Sequence, residues 1–363
     1  EAARLGHDAI MCPVSHLYLD YYQTADRERE PTAFNGFIPI ERTYDFNPVS
    51  PKLTATEAKH IIGVQANIWT EYMKTFKQVE YMTLPRLAAA SEVQWTMPEK
   101  KNFDDFANRM PQLLNVYNLN KYNYGRHLFN VNIDVTAADK PGSINITLTA
   151  RKGATIYYTL DGSKPTTKSN RYTQTFTVNK SCKLRTIAVY PSFTSGENTE
   201  DLLISKATMA NVKYNVEPNN KYPGLSPREL TNGLQGNVIF NSGRWVGYEG
   251  KDLDLTIDLG EVKPIRLISV RTLVSPSQWI MPHRGIWMWV STDGKNFEDI
   301  YDLPAEPMPA NKPDYIDTDN VLLPMPKDAR YVRIKMLSEK SMPAWHPNAG
   351  KTAWLFVDEI TVE

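Results

Sequence analysis

A chain of 363 residues exceeds one ordinary domain of roughly 100–200 residues, and its 41 basic and 41 acidic residues cancel, so no net charge draws it to nucleic acid or an anionic membrane surface. Aromatic residues at 11%, with eight Trp, and Pro outnumbering Gly 25 to 18 suit turn-rich β domains that carry stacking rings. Two cysteines, Cys12 and Cys182, are too few for a disulfide framework, no run reaches the roughly 20 apolar residues of a membrane span, and the N-terminal stretch lacks the charged-then-apolar order of a secretory leader. The chain opens without Met in what reads as the middle of a helix, so a fragment is expected.

Taken in chain order, residues 1–127 alternate strand and helix signals. Residues 9–16, AIMCPVSH, form a short apolar run, Thr54 and Glu57 make a capping box, and residues 61–69, IIGVQANIW, are a second apolar run that reads as a fully buried strand. Apolar positions at helical spacing then predict helices over 78–95 and 103–120. Strand then helix, twice, means parallel β/α architecture. From 128 the helical period stops. Residues 143–150, 155–162, 183–191 and 202–216 alternate apolar and polar, with a turn at Asp161-Gly162, so 128–214 reads as a small β-sandwich. A polar, Pro-containing linker, 217–227, closes it, and in the last domain, 215–363, strands are expected at 253–260, 265–273, 286–294, 329–337 and 354–363. The fold class is thus multidomain, α/β followed by all-β, and the charged runs 26–31 and 98–105 read as solvated faces.

In a β/α barrel the site is built from residues just past the strand ends. Two strands here end informatively: Tyr18 and Asp20 follow the first, Trp69 and Glu71 the second. Residues two apart in extended chain face the same way, so each ring and acid can share a pocket. Aromatic faces stack on sugar C–H groups while carboxylates accept from hydroxyls; equally, such rings plug barrel ends and such acids cap helices.

Residues 13–23, PVSHLYLDYYQ, followed by 63–96, GVQANIWTEYMKTFKQVEYMTLPRLAAASEVQWT, resemble the last part of the catalytic (β/α)8 barrel of the family 20 glycoside hydrolases, the β-N-acetylhexosaminidases. The resemblance implies that residues 1–127 hold the last two β/α units. It also implies that Tyr18 hydrogen-bonds the carbonyl oxygen of the substrate's 2-acetamido group, that Asp20 and Glu71 bind hydroxyls at the O4/O6 side of the terminal sugar, and that Trp69 walls the acetamido pocket or stacks on the sugar. In such enzymes the substrate's own acetamido oxygen is the nucleophile. The general acid, the Glu of an Asp-Glu pair after the fourth strand in a Gly-Gly setting, is absent from this chain; Asp358-Glu359 lies in a C-terminal strand without the glycines and reads as unrelated. The chain alone is therefore expected to be inactive, with the missing N-terminal part of the same polypeptide as its partner.

Residues 153–178 resemble the chitobiase/hexosaminidase C-terminal domain, an Ig/Fn3-like sandwich whose Tyr157, Tyr158, Asp161, Gly162 and Pro165 read as hairpin and packing chemistry. Residues 215–363 resemble the F5/8 type C, discoidin-like antiparallel β-barrel sandwich, many bacterial members of which are family 32 carbohydrate-binding modules. Trp279, His283, Arg284, Trp345 and His346, in loop-like stretches, are candidate sugar contacts, against the reading that such Trp pack under loops. Trp287 and Trp289 share a strand face and are assigned to the core or sheet. The resemblance implies a structural Ca²⁺, for which Asn232 and Glu359 are the candidate ligands, Asn232 standing where Asp is common; no cofactor is expected for catalysis.

Two functions compete: an exo-acting hydrolase of terminal β-linked N-acetylglucosamine or N-acetylgalactosamine, and a non-catalytic carbohydrate-binding or cell-surface attachment protein acting through the third domain. Either way the partners are glycans, without nucleic acid or membrane span. A secreted, periplasmic or cell-surface location is expected, the signal region lying outside this chain.

Overall fold

The computed structural model describes residues 1–24 and 27–363, which form two compact units: residues 1–130 with 190–196, and residues 131–189 with 197–363.

In the first unit, Ala9–Met11 and Ile61–Val64 pair in parallel, and Tyr21–Tyr22 pairs in parallel with Phe34–Phe37. Helices Phe76–Thr83, Arg86–Trp95 and Phe103–Leu119 follow. The β/α order is as read, and among the described residues of this unit the parallel pairing consists of these two small sheets and an isolated Tyr18–Asn67 bridge. The helix expected over 78–95 is two helices. Pro85 offers no N–H and holds Leu84 extended, at φ −95° and ψ 138°, so the chain turns and restarts. The capping box at Thr54 forms, with Thr54 N–H donating to Glu57 at 2.7 Å and Glu57 N–H to Thr54 Oγ1 at 3.3 Å, although its helix is only Ala55–Ala58. The run 61–69 is not a fully buried strand. Leu17, Phe46, Ala90 and Val93 cover Met11 and Val64 on one side, while Ile10 and Ile62 stand 54% and 60% exposed on the other. Nor is 26–31 a solvated face: Glu30 is buried and accepts the N–H groups of Gln23 and Thr24 at 3.1 and 2.5 Å; Asp26 lies outside the described residues. Within 98–105, Lys101 reaches inward to the Tyr44 and Phe46 carbonyls, both at 2.9 Å.

The second unit is all β. Its first part stacks short antiparallel strands into a four-stranded and a three-stranded sheet, as the alternation from 143 onward predicts. At the Asp161-Gly162 turn, Gly162 has φ 74°, and Asp161 Oδ1 accepts from Ser163 N–H at 2.9 Å. The rest is a seven-stranded antiparallel sheet system in which Leu253, Leu255, Ile257 and Leu259 point inward at every second position and are fully buried. Each such side chain contributes about 1.5–3 kcal/mol. The runs 253–260 and 265–273 are one long strand, Leu253–Val274, bent by register shifts between Asp258 and Lys263 and between Ile265 and Leu267 rather than ended by Gly260. Trp287 and Trp289 do lie on the sheet, half-buried, with the Arg333 guanidinium 5.3 Å from the Trp289 ring.

The run 202–216, read as belonging to the small sandwich, divides. Asn198–Leu202 pairs inside that sandwich, but Asn211–Tyr214 pairs with Leu255–Asp258 of the large sheet, and Ala207 and Ala210 sit in the large core. Val212 packs, partly buried, against that core. The two β parts also share a buried ion pair, Arg244 to Glu200 at 2.8 and 2.9 Å.

Candidate active site

Past the ends of the first parallel pair, the two segments stay joined. Leu19 N–H donates to the Asn67 carbonyl at 2.7 Å and Asn67 N–H to the Leu17 carbonyl at 2.8 Å, with Tyr18 and Asn67 forming a parallel bridge. This continued pairing carries Tyr18 and Asp20 alongside Trp69 and Glu71, so the structure brings together the four residues that the strand ends single out.

Their environments differ. Asp20 is 4% exposed, with Oδ1 lacking a hydrogen-bond partner, whereas Trp69 is 54% exposed and Glu71 is also open to solvent. Burial raises the Asp20 carboxyl above the usual range and the Glu71 charge adds to the rise, while main-chain N–H groups of Asp20 and Trp69 and the Arg86 charge oppose it. The Glu71 charge is thus felt at the buried Asp20 carboxyl. An unpaired acceptor oxygen, a nearby second carboxylate and an open indole make a surface that can accept hydroxyl hydrogens and stack a ring.

Beneath it lies Arg86, which sequence reasoning passed over. Its side chain is fully buried and donates to three main-chain carbonyls: Ile38 at 2.9 Å, Leu19 at 2.7 Å and Met82 at 2.5 Å. Burial lowers its pKa to about 10, with the charges of Glu30 and Asp20 opposing, so it stays cationic at neutral pH. The Leu19 carbonyl lies between Tyr18 and Asp20, so Arg86 pins the segment that carries both. The signal available in sequence was an arginine directly after Pro85 and ahead of three alanines, a place where a long side chain has room to turn inward. A part-buried pair, Tyr81 Oη to His127 Nε2 at 2.7 Å, was also missed; desolvation pushes His127 down to about 4 and leaves it neutral.

The third-domain candidates each have partners within their own fold. His283 bonds Asp319 at 3.0 Å and accepts from Gly285 N–H at 3.2 Å. Arg284 bonds Glu339 at 3.0 Å. Trp345 donates to the Met308 carbonyl at 2.9 Å and packs with Trp279 on Val274, Met281 and Met342, while His346 is buried and accepts from Asn348 N–H at 3.0 Å.

For calcium, Asn232 and Glu359 are buried near one turn. The Asn232 amide donates to Glu229 at 2.9 Å and its oxygen accepts Leu234 N–H at 2.8 Å; both Glu359 oxygens face Gly233 N–H at 3.2 Å. Burial, then the Asp358 charge, pushes the Glu359 carboxyl well above its usual range. Among the described residues no three His, Cys, Asp or Glu converge on a metal position, and the Asn232 and Glu359 oxygens are engaged by main-chain N–H groups.

Comparison with known proteins gives three regions. Residues 1–98 match the glycosyl hydrolase family 20 catalytic domain, 136–200 the chitobiase/beta-hexosaminidase C-terminal domain, and 217–358 the F5/8 type C domain. A beta-hexosaminidase of Porphyromonas gingivalis is 34% identical over 183 residues, 47% of this chain and 22% of that protein. A beta-N-acetylhexosaminidase of Cellulomonas fimi is 37% identical over 111 residues, 31% of this chain and 22% of that protein. The solved structure of a family 20 beta-N-acetylhexosaminidase from Streptomyces coelicolor is 28% identical, with 34% of this chain and 25% of that one covered at a TM-score of 0.31, too low to weigh on the fold. The chain spans 22% of the length of the first two of these relatives. It carries, in order, part of a glycosyl hydrolase family 20 catalytic domain, a chitobiase/beta-hexosaminidase C-terminal domain and an F5/8 type C domain.

Proposed function

We propose that this chain supplies one side of the sugar pocket of an exo-acting β-N-acetylhexosaminidase, which releases terminal β-linked N-acetylglucosamine or N-acetylgalactosamine from glycans with retention. The observation that carries the reading is the continued pairing of Leu17–Leu19 with Asn67, which gathers Tyr18, Asp20, Trp69 and Glu71. Tyr18 donates to the acetamido oxygen and holds it against C1. That oxygen bonds C1 as the glycosidic C–O bond breaks, an upstream carboxylic acid protonates the leaving oxygen, and water then opens the cyclic intermediate. Asp20 and Glu71 accept from the sugar hydroxyls and Trp69 covers a ring face. The barrel that would close around this side, and the acid itself, belong to the upstream part of the polypeptide. General acid catalysis contributes about 10²–10⁴-fold, so the chain alone is expected to be inert.

Glycan binding by the F5/8 type C domain, with export to a periplasmic, secreted or cell-surface location where glycans are met, is part of the same proposal. The family match supports it, and the half-buried Trp279 and Trp345 rings, which pack on Val274, Met281 and Met342, are its candidate stacking surfaces. The test is release of aryl alcohol from an aryl N-acetyl-β-D-glucosaminide by the protein extended upstream, beside this chain alone. Turnover by the longer protein only supports the reading, and silence from a folded longer protein would overturn it.

A further inference from the structure

A cavity of about 370 Å³ lies between helix Phe103–Leu119, the segment that follows it and the 192–196 loop, which packs within the first unit. That size suits a small-molecule site, roughly 300–1,000 Å³. No residue of the four strands of this unit lines it, and its walls all come from this chain, so it is distinct from the pocket at the strand ends. Its chemistry is one-sided. Gln112, Asn115 and Asn118 of the helix, Ser192 and Thr194 of the loop and one charged group, Arg126, line it, and among its described lining residues there is no carboxylate. Asn118 Oδ1 accepts from Tyr124 Oη at 3.1 Å, which leaves its N–H₂ group to donate. The Arg126 guanidinium lies over the buried Tyr124 ring, 4.6 Å from its centroid. Gly196 leaves it room, since a Cβ there would stand 3.2 Å from Arg126 Cδ. The next acid along the chain, Glu197, bonds Arg185 at 2.7 Å instead. A half-buried ring, Phe193, makes another wall, stacked on Tyr190 at 4.7 Å with 5° between planes and edge-on to Phe129 at 4.9 Å.

We propose that this cavity binds an acidic sugar, a pyranose carrying a carboxylate or a sulfate ester, at a site separate from the hydrolytic pocket. Such binding does not depend on the hydrolase reading. Arg126 offers a planar fork of donors that matches two oxygens of one anionic group, and the Tyr124 ring holds that fork in place. The amides and hydroxyls around it exchange hydrogen bonds with ring hydroxyls, and Phe193 gives an aromatic wall for C–H groups. With no carboxylate in the lining, an anion meets no repulsion there, whereas a neutral sugar leaves the guanidinium unused.

The experiment titrates D-glucuronic acid, D-glucose 6-sulfate and D-glucose into the upstream-extended protein by calorimetry. None of the three carries a 2-acetamido group, so the proposed hydrolytic pocket is not what is read. The wild-type protein should bind at least one acid about tenfold or more tighter than glucose, and which acid it takes tells carboxylate from sulfate. Arg126→Met, at an exposed position, should weaken that binding about tenfold or more, and Arg126→Lys, which keeps the charge without the fork, should weaken it less. Asn115→Asp, on the exposed helix face, puts a carboxylate into the cavity and should weaken the acids too, an arm that decides if an Arg126 variant fails to fold. Failure of the wild-type protein to bind either acid at millimolar concentration, equal binding of glucose, or an affinity unmoved in these variants overturns the site.

Discussion

Replacing Arg86 by Met keeps the length of the side chain and removes every N–H. Three main-chain carbonyls, of Leu19, Ile38 and Met82, then lose their donor inside a fully buried site. A buried polar group left unpaired costs about 1–3 kcal/mol. Water reaching one of the three would lower the sum, so the expected loss is about 3–5 kcal/mol. That is a large part of the ~5–15 kcal/mol that holds a domain together. Because Arg86 fixes the chain between Tyr18 and Asp20, the damage concentrates there. The assay is hydrogen exchange across a urea series, read on peptides covering residues 17–24 and 37–46. In the wild-type protein the Leu19 and Ile38 amides are protected by the Asn67 and Tyr22 carbonyls. In Arg86→Met these amides should exchange by local opening at far lower urea, with the large β unit unaffected. A loss below about 1 kcal/mol, or protection unchanged at Leu19, would refute the assignment of Arg86 as the pin of this segment.

Arg244→Met removes the guanidinium that bonds both Glu200 oxygens and should cost about 3–5 kcal/mol, read as a lowered melting temperature of the β unit by calorimetry. The pH dependence of the β unit carries the mark of Glu359. Its folded pKa lies well above the unfolded value of about 4.5, so the folded state binds the extra proton, and stability falls as pH rises from 4.5 towards that raised value. The melting temperature of the wild-type protein should therefore drop between pH 5 and pH 8 by more than that of Glu359→Gln; equal drops would show that the buried carboxyl is not the cause. Asp254 and Asp258 work in the opposite sense. Their folded pKa values are depressed, for Asp258 first by the Arg330 hydrogen bonds and for Asp254 by Arg333 against a burial effect that opposes them, so their contribution is present above about pH 4 and lost on acidification. Arg333→Met should accordingly flatten the acid limb of the stability curve.

The residues that told most from sequence were those whose chemistry and local geometry agree. Alternate apolar residues such as Leu253, Leu255 and Ile257 could only be a half-buried strand, and the Tyr18/Asp20 and Trp69/Glu71 pairs stood just past apolar runs where a site is built. What stayed hidden depended on partners distant in sequence. Glu30 sits in a charged run that looks solvated, yet two amides seven and six residues earlier draw it inside. Arg86 resembles any helical arginine until three carbonyls from separate segments converge on it. Asn211–Tyr214 alternates equally well for either β part, and its pairing with Leu255–Asp258, which packs Val212 and Tyr214 on the large core, is not written in the segment itself. The surroundings of Trp279 and Trp345 were hidden in the same way, because sequence shows the loop and not the methionines, Met281, Met308 and Met342, in the cluster these rings pack against.

The central claim is that the paired segments around Tyr18 and Asn67 hold the acetamide of a terminal N-acetylhexosamine, and kcat of Tyr18→Phe in the upstream-extended protein tests it most directly. Loss of one donor to the reacting oxygen costs about 10²–10³-fold, so the variant should hold its fold and its KM roughly while kcat on an aryl N-acetyl-β-D-glucosaminide falls by that factor. A kcat within a few-fold of wild type would contradict the account, since Tyr18 would then not touch the group that does the chemistry.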